Sequence, residues 1–484
     1  IRRWGCNDGL RLHCGVGFES DRMYAVCHAI RTELSRRPIY AYRLRSHETN
    51  EPDAITGHIL YIIDSARFWR VGAERREETE VLSMRIAMAL EKFDPYAGGV
   101  EAYAVGLARE LVAQGWEVHL YGYSWANDPP DAIFHQITPL PRFFPSSIKN
   151  LHFALRHREM VMLQDFDVVL GFGNTLVMNV YQSHGGVHRF SVMRKIDAIR
   201  NPLVRIFKRL VAFASPKYYA RAWIEGAPFR AATRPVLIAI SEMVKKDLCR
   251  YFGVKEDDVL LIYNGADQSK CAKVEEARIF ETRRRLGFKE RLIFLFMAYD
   301  LRKKGAHYLL EAAKKLKVSA GSSKFGVLFV GGAPSSGMRS FVKKHGLTDN
   351  VVFLGPTTEP ELYFRACDVL VLPTFYDACS LVVFEALAAG TPVITTRFNG
   401  AAGAIREGVT GLILESPRDT DALANAMEKF LDRQFLARAK EAAQTDSGLY
   451  RIEDNYRKMI DVFTAVARRR HEGERRCPPG PAEN

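Results

Sequence analysis

Long apolar runs are missing from this chain of 484 residues, and no stretch reaches the length of a bilayer span, so an integral membrane protein is not indicated. Its eight cysteines form no C-x-x-C pair and no Cys/His cluster at zinc spacing. That excludes a disulfide scaffold or a structural zinc site, and reduced thiols in the cytosol are the simplest reading. No G-x-G-x-x-G run occurs, so the dinucleotide fingerprint, and with it a dehydrogenase, loses its support; Gly171-Phe172-Gly173 lacks the third glycine. The opening Ile1-Arg2-Arg3-Trp4 does not have the charged-then-apolar layout of a secretory signal. Lysine is absent before Lys92, and residues 1–83 hold thirteen arginines against twelve acids with poor periodicity. The pattern becomes clean at Met84, so residues 1–83 read as an upstream or poorly ordered extension.

What is present is the composition of a globular protein with real cores, at 47% hydrophobic and 26% charged residues. The net charge of +13 invites an anionic partner. Nine cations and one acid, Asp197, lie between Arg189 and Arg221, interleaved with Phe190, Ile206, Phe207, Leu210 and Tyr218. Cations among aromatics and aliphatics suit an anionic membrane surface through residues 189–223, against the plainer reading of a solvated helical face. Nucleic acid ranks lower, because no known nucleic-acid module accompanies the patch.

Apolar runs of strand length alternate with helical periodicity along the rest of the chain. Met84–Leu90, a helix over 101–114 and Val118–Tyr123 make a strand–helix–strand unit, which implies a parallel sheet. A second such series runs from Leu292 to Thr396. The spacing therefore predicts two doubly wound, Rossmann-like α/β domains facing each other across a cleft, at 84–270 and 271–449, with the linker within 265–289. A helix over 450–467 is long enough to cross back to the first domain, and 468–484 reads as a disordered, charged and Pro-rich tail. Ligands in such sheets bind beyond the carboxyl ends of the strands.

Three loops at those ends carry chemistry. In Tyr376-Asp377-Ala378-Cys379-Ser380-Leu381, Asp377 precedes a helix capped by Ser380, with Glu385 about two turns in. The Ser380 and Leu381 amides would form an anion seat flanked by two carboxylates, which suit sugar hydroxyls. Alone, such a turn is as often incidental. In Arg302-Lys303-Lys304-Gly305, cations follow a strand and precede a helix, positioned for a phosphate or simply solvated. Gly98-Gly99 lets backbone approach a ligand. His184, ahead of Gly185-Gly186, ends another strand, where a lone histidine is more often structural.

Together these residues resemble the GT-B-fold retaining glycosyltransferases of family 4, and within it the lipopolysaccharide core heptose glucosyltransferase type. The likeness covers about Met84 to Ala467. The family's Glu-x7-Glu motif is similar to Asp377-x7-Glu385, where the aspartate keeps the charge and shortens the reach. Its Arg-Lys-Gly phosphate site matches Lys303-Lys304-Gly305 beside Arg302, its glycine loop Gly98-Gly99, and its donor-side histidine His184. Residues 238–242 and 263–267 look like its hinge-side strands. The resemblance implies metal-independent transfer of a hexose from a nucleotide diphosphate sugar, such as UDP-glucose, to a glycan or lipid-linked acceptor. It implies Lys303, Lys304, Asp377 and His184 at the chemistry and Gly98, Gly99, Arg302, Ser380, Leu381 and Glu385 on the donor. No cofactor is implied, and no Asp-x-Asp of the metal-binding kind lies at a matching strand end. The location implied is cytoplasmic, peripheral on the inner face of the membrane. Asp377 and Gly403 depart from common family residues, which keeps open a non-catalytic sugar-nucleotide or membrane-binding protein on this scaffold, or a GT-B epimerase. A phosphorylase would need a pyridoxal-binding lysine site, and the sequence shows no signature for one.

Overall fold

A computed structural model describes residues 84–126, 131–288 and 290–476, with side chains through residue 472. The extension expected over 1–83 lies outside the described residues.

The first half builds a seven-stranded sheet in the order β5-β3-β1-β6-β7-β8-β9. Its strands are β1 (Arg85–Ala89), β3 (Glu117–Gly122), β5 (Ile133–Gln136), β6 (Val168–Gly171), β7 (Val180–Ser183), β8 (Val236–Ala239) and β9 (Val259–Leu261). A small ribbon pairs β2 (Lys92–Phe93) with β4 (Ser124–Trp125). The second half is a six-stranded sheet, β12-β11-β10-β13-β14-β15. It comprises β10 (Leu292–Ala298), β11 (Phe325–Gly331), β12 (Val351–Gly355), β13 (Val369–Leu372), β14 (Val393–Thr396) and β15 (Gly411–Leu414). Every pairing in both sheets is parallel. Parallel strands are covered on both faces, which is why β13 reads Val-Leu-Val-Leu and is buried throughout.

The helices used below are α1 (Gly99–Ala113), α2 (Ser146–Val161), α3 (His188–Asp197), α4 (Pro202–Phe213), α5 (Pro216–Glu225), α6 (Ala306–Ala320), α7 (Leu381–Ala388) and α8 (Ile452–Arg476). In α1 the buried residues Tyr103, Ala104, Leu107, Ala108 and Leu111 recur at helical spacing and face the sheet. Met459, Ile460 and Phe463 of α8 join the same core as β1 and α1, so the last helix packs on the first sheet.

The chain crosses between the halves at two adjacent places. The Ala266 N–H donates to the Tyr450 carbonyl, and the Ile452 N–H to the Ala266 carbonyl, at 3.0 and 3.1 Å. Gly265 is needed there, because a Cβ on it would lie 2.5 Å from the Arg451 carbonyl carbon. The Ser241 hydroxyl donates to the Ala378 carbonyl at 2.7 Å, tying the first sheet to a loop of the second.

Two expectations change. Residues 268–285 are not an open linker: helices Gln268–Ala272 and Glu276–Arg285 fold on the second half, where the Arg283 guanidinium donates to the Asp368 carboxylate at 3.0 Å. The first of these helices straddles the expected boundary at 270/271. The tail expected to be disordered from 468 is instead helical to Arg476. Arginine and glutamate favour a helix, and contacts of Arg470 with Asp165 and of His471 with Asp167 anchor it to the first half. Residues 477–484 lie outside the described residues. No helix among the described residues is long and apolar enough to cross a membrane.

Replacing Gly265 with Ala should force the two crossing strands apart and cost about 1–3 kcal/mol of stability. Urea unfolding checks this, with Gly253→Ala as a comparison at a site that is strained in φ but open in space.

Candidate active site

Each sheet reverses its strand order beside its first strand: β1 lies between β3 and β6, and β10 between β11 and β13. A crevice therefore opens beyond the carboxyl ends of each of those strand pairs. The loops that follow β1, β10 and β13 carry Gly98-Gly99, Lys303-Lys304 and Asp377. The first residues of α1 and α7 meet across the gap, so close that a Cβ on Gly99 would lie 3.2 Å from Leu381 Cδ1. A cavity of about 310 Å³ lies here, and Gly99, His184, Lys304, Asp377, Ser380 and Leu381 line it. Four of these residues come from the second half and two from the first.

The electrostatic centre of the cavity is Lys304, whose ammonium contacts the Asp377 carboxylate. Both side chains are largely buried. Burial, and then the neighbouring Lys303, draws the Lys304 ammonium well below the ordinary lysine range, while Asp300 acts in the opposite sense. The contact with Asp377 likewise favours the charged form. Asp377 is itself held by its main chain, with its N–H on the Phe398 carbonyl and its carbonyl on the Gly400 N–H. Gly305, at φ +82°, starts α6 and brings the lysine loop over Pro373 at the end of β13.

His184 is buried against the rings of Phe172 and Tyr103, the latter with centroids 4.7 Å apart. Burial pushes its pKa down to about 4, so at neutral pH it is an uncharged ring. It offers hydrogen bonds to a ligand, not a positive charge.

Several candidates differ from expectation. Ser380 occupies the N-cap position of α7 without a side-chain cap bond, and its N–H donates to Asn399 Oδ1 at 3.3 Å. The expected pair of free amides therefore shifts to Leu381 and Val382, whose first-turn N–H groups have no helical acceptor. Asn399 also accepts the Ala401 N–H and donates to Thr395. Sequence reasoning missed it, because an asparagine twenty-two residues after Asp377 carries no local signal.

Glu385 stands just over one turn into α7, not two, and is not among the residues lining this cavity. Burial, reinforced by Glu361 and opposed by Lys270, raises its pKa to about 7. Gly98 sits in extended backbone at the N-cap of α1, and its carbonyl accepts the Ala102 N–H at 3.0 Å. Arg302 is exposed and borders a different cavity beside Arg200 and His307. Lys303 lines a third cavity and not the one that Lys304 lines. Among the described residues no three His, Cys, Asp or Glu side chains converge as a metal site would require.

Residues 97–270 match the family described as Glycosyltransferase Family 4, and residues 278–446 that described as Glycosyl transferases group 1. The chain is 29% identical to a D-inositol 3-phosphate glycosyltransferase of Corynebacterium urealyticum over 51% of its own length, and it spans 61% of that relative. It is 23% identical to the lipopolysaccharide glucosyltransferase WaaG of Escherichia coli, covering 79% of this chain and 99% of WaaG. The crystal structure of WaaG superposes with a TM-score of 0.66 at 21% identity over 78% of this chain and 99% of that one. That of Anabaena Alr3699/HepE with UDP-glucose gives 0.57 at 17% identity, covering 79% of this chain and 100% of that one. At those identities the superpositions establish the fold, two Rossmann-like domains of GT-B type.

The raised pKa of Glu385 gives a pH test. Its unfolded value is near 4.5 and its folded value is about 7. The folded state thus holds a proton the unfolded state has lost, a contribution complete below pH 4.5 and lost as pH rises through 7. Glu385→Gln should therefore gain stability relative to the wild type between pH 4.5 and 8. Urea midpoints at pH 4.5, 6 and 8 measure this, and parallel curves would refute the assignment.

Proposed function

Because the chain belongs to the GT-B glycosyltransferases of family 4, we propose that it transfers a hexose from a nucleotide diphosphate sugar to an acceptor hydroxyl with retention at the anomeric carbon. The observation that carries this reading is Lys304, buried on Asp377 at the point where the first residues of two helices meet.

The diphosphate of the donor occupies the cavity with its oxygens on Lys304 and on the Leu381 and Val382 amides. This placement satisfies a buried cation with a dianionic group and frees Asp377 to accept a sugar hydroxyl. The neutral His184 ring contacts the sugar from the opposite wall. The acceptor oxygen bonds to C1 on the face that the diphosphate leaves, and the C1–O bond to the β-phosphate breaks with its electron pair on the phosphate. The acceptor proton passes to that phosphate oxygen, so the products are a glycoside and a nucleoside diphosphate. Negative charge grows on the leaving oxygens as the bond breaks, and a preorganised cation and two amides stabilise it there more than in the ground state. Glu385 lies one turn further along α7 from Leu381 and outside this cavity, so a contact with the donor's ribose requires its side chain to turn toward the bound donor. UDP-glucose is the favoured donor, by likeness to HepE, and a glycan or glycolipid of the cell envelope the favoured acceptor, by likeness to WaaG.

The enzyme works at the inner face of the cytoplasmic membrane, held there by α4. No residue of α4 is buried, and Leu203 and Leu210 are 75% and 66% exposed beside Ile206 and Phe207. Arg205 and Lys208 supply the cations that an anionic lipid surface attracts.

Lys304→Ala should lower kcat about 10²–10³-fold with UDP-glucose. Unchanged turnover would remove Lys304 from the phosphate site, and loss of wild-type activity in EDTA would show that a metal carries the charge instead. Phe207→Glu/Leu210→Glu should abolish sedimentation with phosphatidylglycerol vesicles while leaving hydrolysis of soluble donor unchanged.

A further inference from the structure

The third cavity, of about 500 Å³, gathers positive charge to an unusual degree. Lys195 of α3, Lys217 and Arg221 of α5, and Lys303 of the second half all line it. Lys217 and Arg221 are one helical turn apart and share a face. Among the described residues none of the four has an ion-pair partner. They are near enough to oppose one another: burial lowers the Lys195 pKa, Lys303 lowers it further, Asp300 raises it, and Arg221 and Lys217 lower it again. The acids on the wall are Glu91 and Glu225. Glu225 is 4% exposed; one of its oxygens accepts the His188 N–H at 2.8 Å, and the other has no partner. His188 Nε2 is likewise buried without a partner. Four cations line one cavity, and the two orphaned polar atoms belong to residues of its wall.

This cavity adjoins the donor cavity at two places. Lys304 lines one and Lys303 the other, and His184 lines one while Gly185 and Gly186 line the other. A ligand anchored by the cations is therefore a neighbour of the donor sugar.

We propose that this cavity is the acceptor subsite and that it selects an acceptor bearing a phosphate monoester. The inference rests on the glycosyltransferase reading above and adds the class of acceptor. A phosphate monoester carries close to two negative charges near neutral pH, against four cations, and its terminal oxygens distribute over several donors where a carboxylate offers two. Lys195, Lys217 and Arg221 thus leave the membrane-facing set to which their sequence neighbourhood assigned them.

The phosphate can arrive on a soluble sugar or on a lipid, and the test separates the two. Full-length protein and Lys195→Ala/Lys217→Ala are titrated by calorimetry with UDP, then with glucose 6-phosphate, glucose and glucuronate, in the presence and absence of UDP. The proposal expects glucose 6-phosphate to bind the wild type, and the double variant to bind it at least about 10-fold more weakly, with UDP affinity unchanged. Binding of glucose or glucuronate as tight as that of glucose 6-phosphate overturns it, as does equal binding by the variant. If no soluble phosphate binds, vesicles of phosphatidylcholine with phosphatidic acid, a monoester headgroup, are compared with vesicles of phosphatidylcholine with phosphatidylglycerol. Preference of the wild type for phosphatidic acid, lost in the variant, shows the lipid-borne source, and no preference overturns the proposal. Failure of UDP to bind the wild type counts against the glycosyltransferase reading, while the phosphate titration without UDP still tests this subsite.

Discussion

The hydroxyl of Ser241 belongs to the first sheet and the carbonyl it meets, that of Ala378, belongs to the loop presenting Asp377. The same oxygen accepts the Val244 N–H at 3.2 Å and so starts the helix Glu242–Phe252. One residue further along the loop, Asn264 Nδ2 donates to the Cys379 carbonyl at 3.3 Å. The loop that carries Asp377 is therefore pinned from the other half of the molecule through main-chain carbonyls. Pinning of this kind is what preorganised charge stabilisation requires. Leaving one of these buried carbonyls unpaired would cost about 1–3 kcal/mol, enough to let the loop and the carboxylate of Asp377 drift.

The charge of the molecule is spent unevenly along one segment. Between Arg189 and Arg221, Arg194 stacks on Phe398 at 3.8 Å, Arg200 pairs with Glu311, and Arg209 pairs with Asp197 at 2.5 Å. Lys195, Lys217 and Arg221 turn into a cavity. What is left facing outward on α4 is a modest cationic fringe around an apolar ridge. A sequence window averages these three fates into one basic patch, because it records charge density and not direction.

That difference explains what could be read before the fold was seen. The α/β alternation was legible because parallel strands bury both faces and so declare themselves as apolar runs, β10 and β13 most clearly. Short or half-exposed elements were not: β5 has no fully buried residue, and the buried face of α2 includes His157, which no apolar periodicity marks. At the site, residues of one loop end were legible as a group, since Lys304, Asp377 and Leu381 each follow a strand directly. The partition between Lys303 and Lys304 was not, because it depends on the path of a loop around Gly305 and Pro373. Nor was the bond from Asn399 to the Ser380 N–H, which joins two strand ends remote in sequence.

The end of α3 is clamped to the second half. Arg194 lies over Phe398, and the Arg418 guanidinium reaches back to the Asp197 carbonyl. The exposed helix α4 begins five residues after α3 ends, so it hangs from a point that both halves hold. A surface that takes up the apolar ridge of α4 consequently sets the orientation of the cleft as a whole and not of one domain. Lys217 and Arg221 share a cavity with Lys303, and Lys303 is one residue from Lys304 of the adjoining cavity. On the proposals above, membrane attachment, acceptor charge and donor chemistry would each draw on basic side chains of this one region.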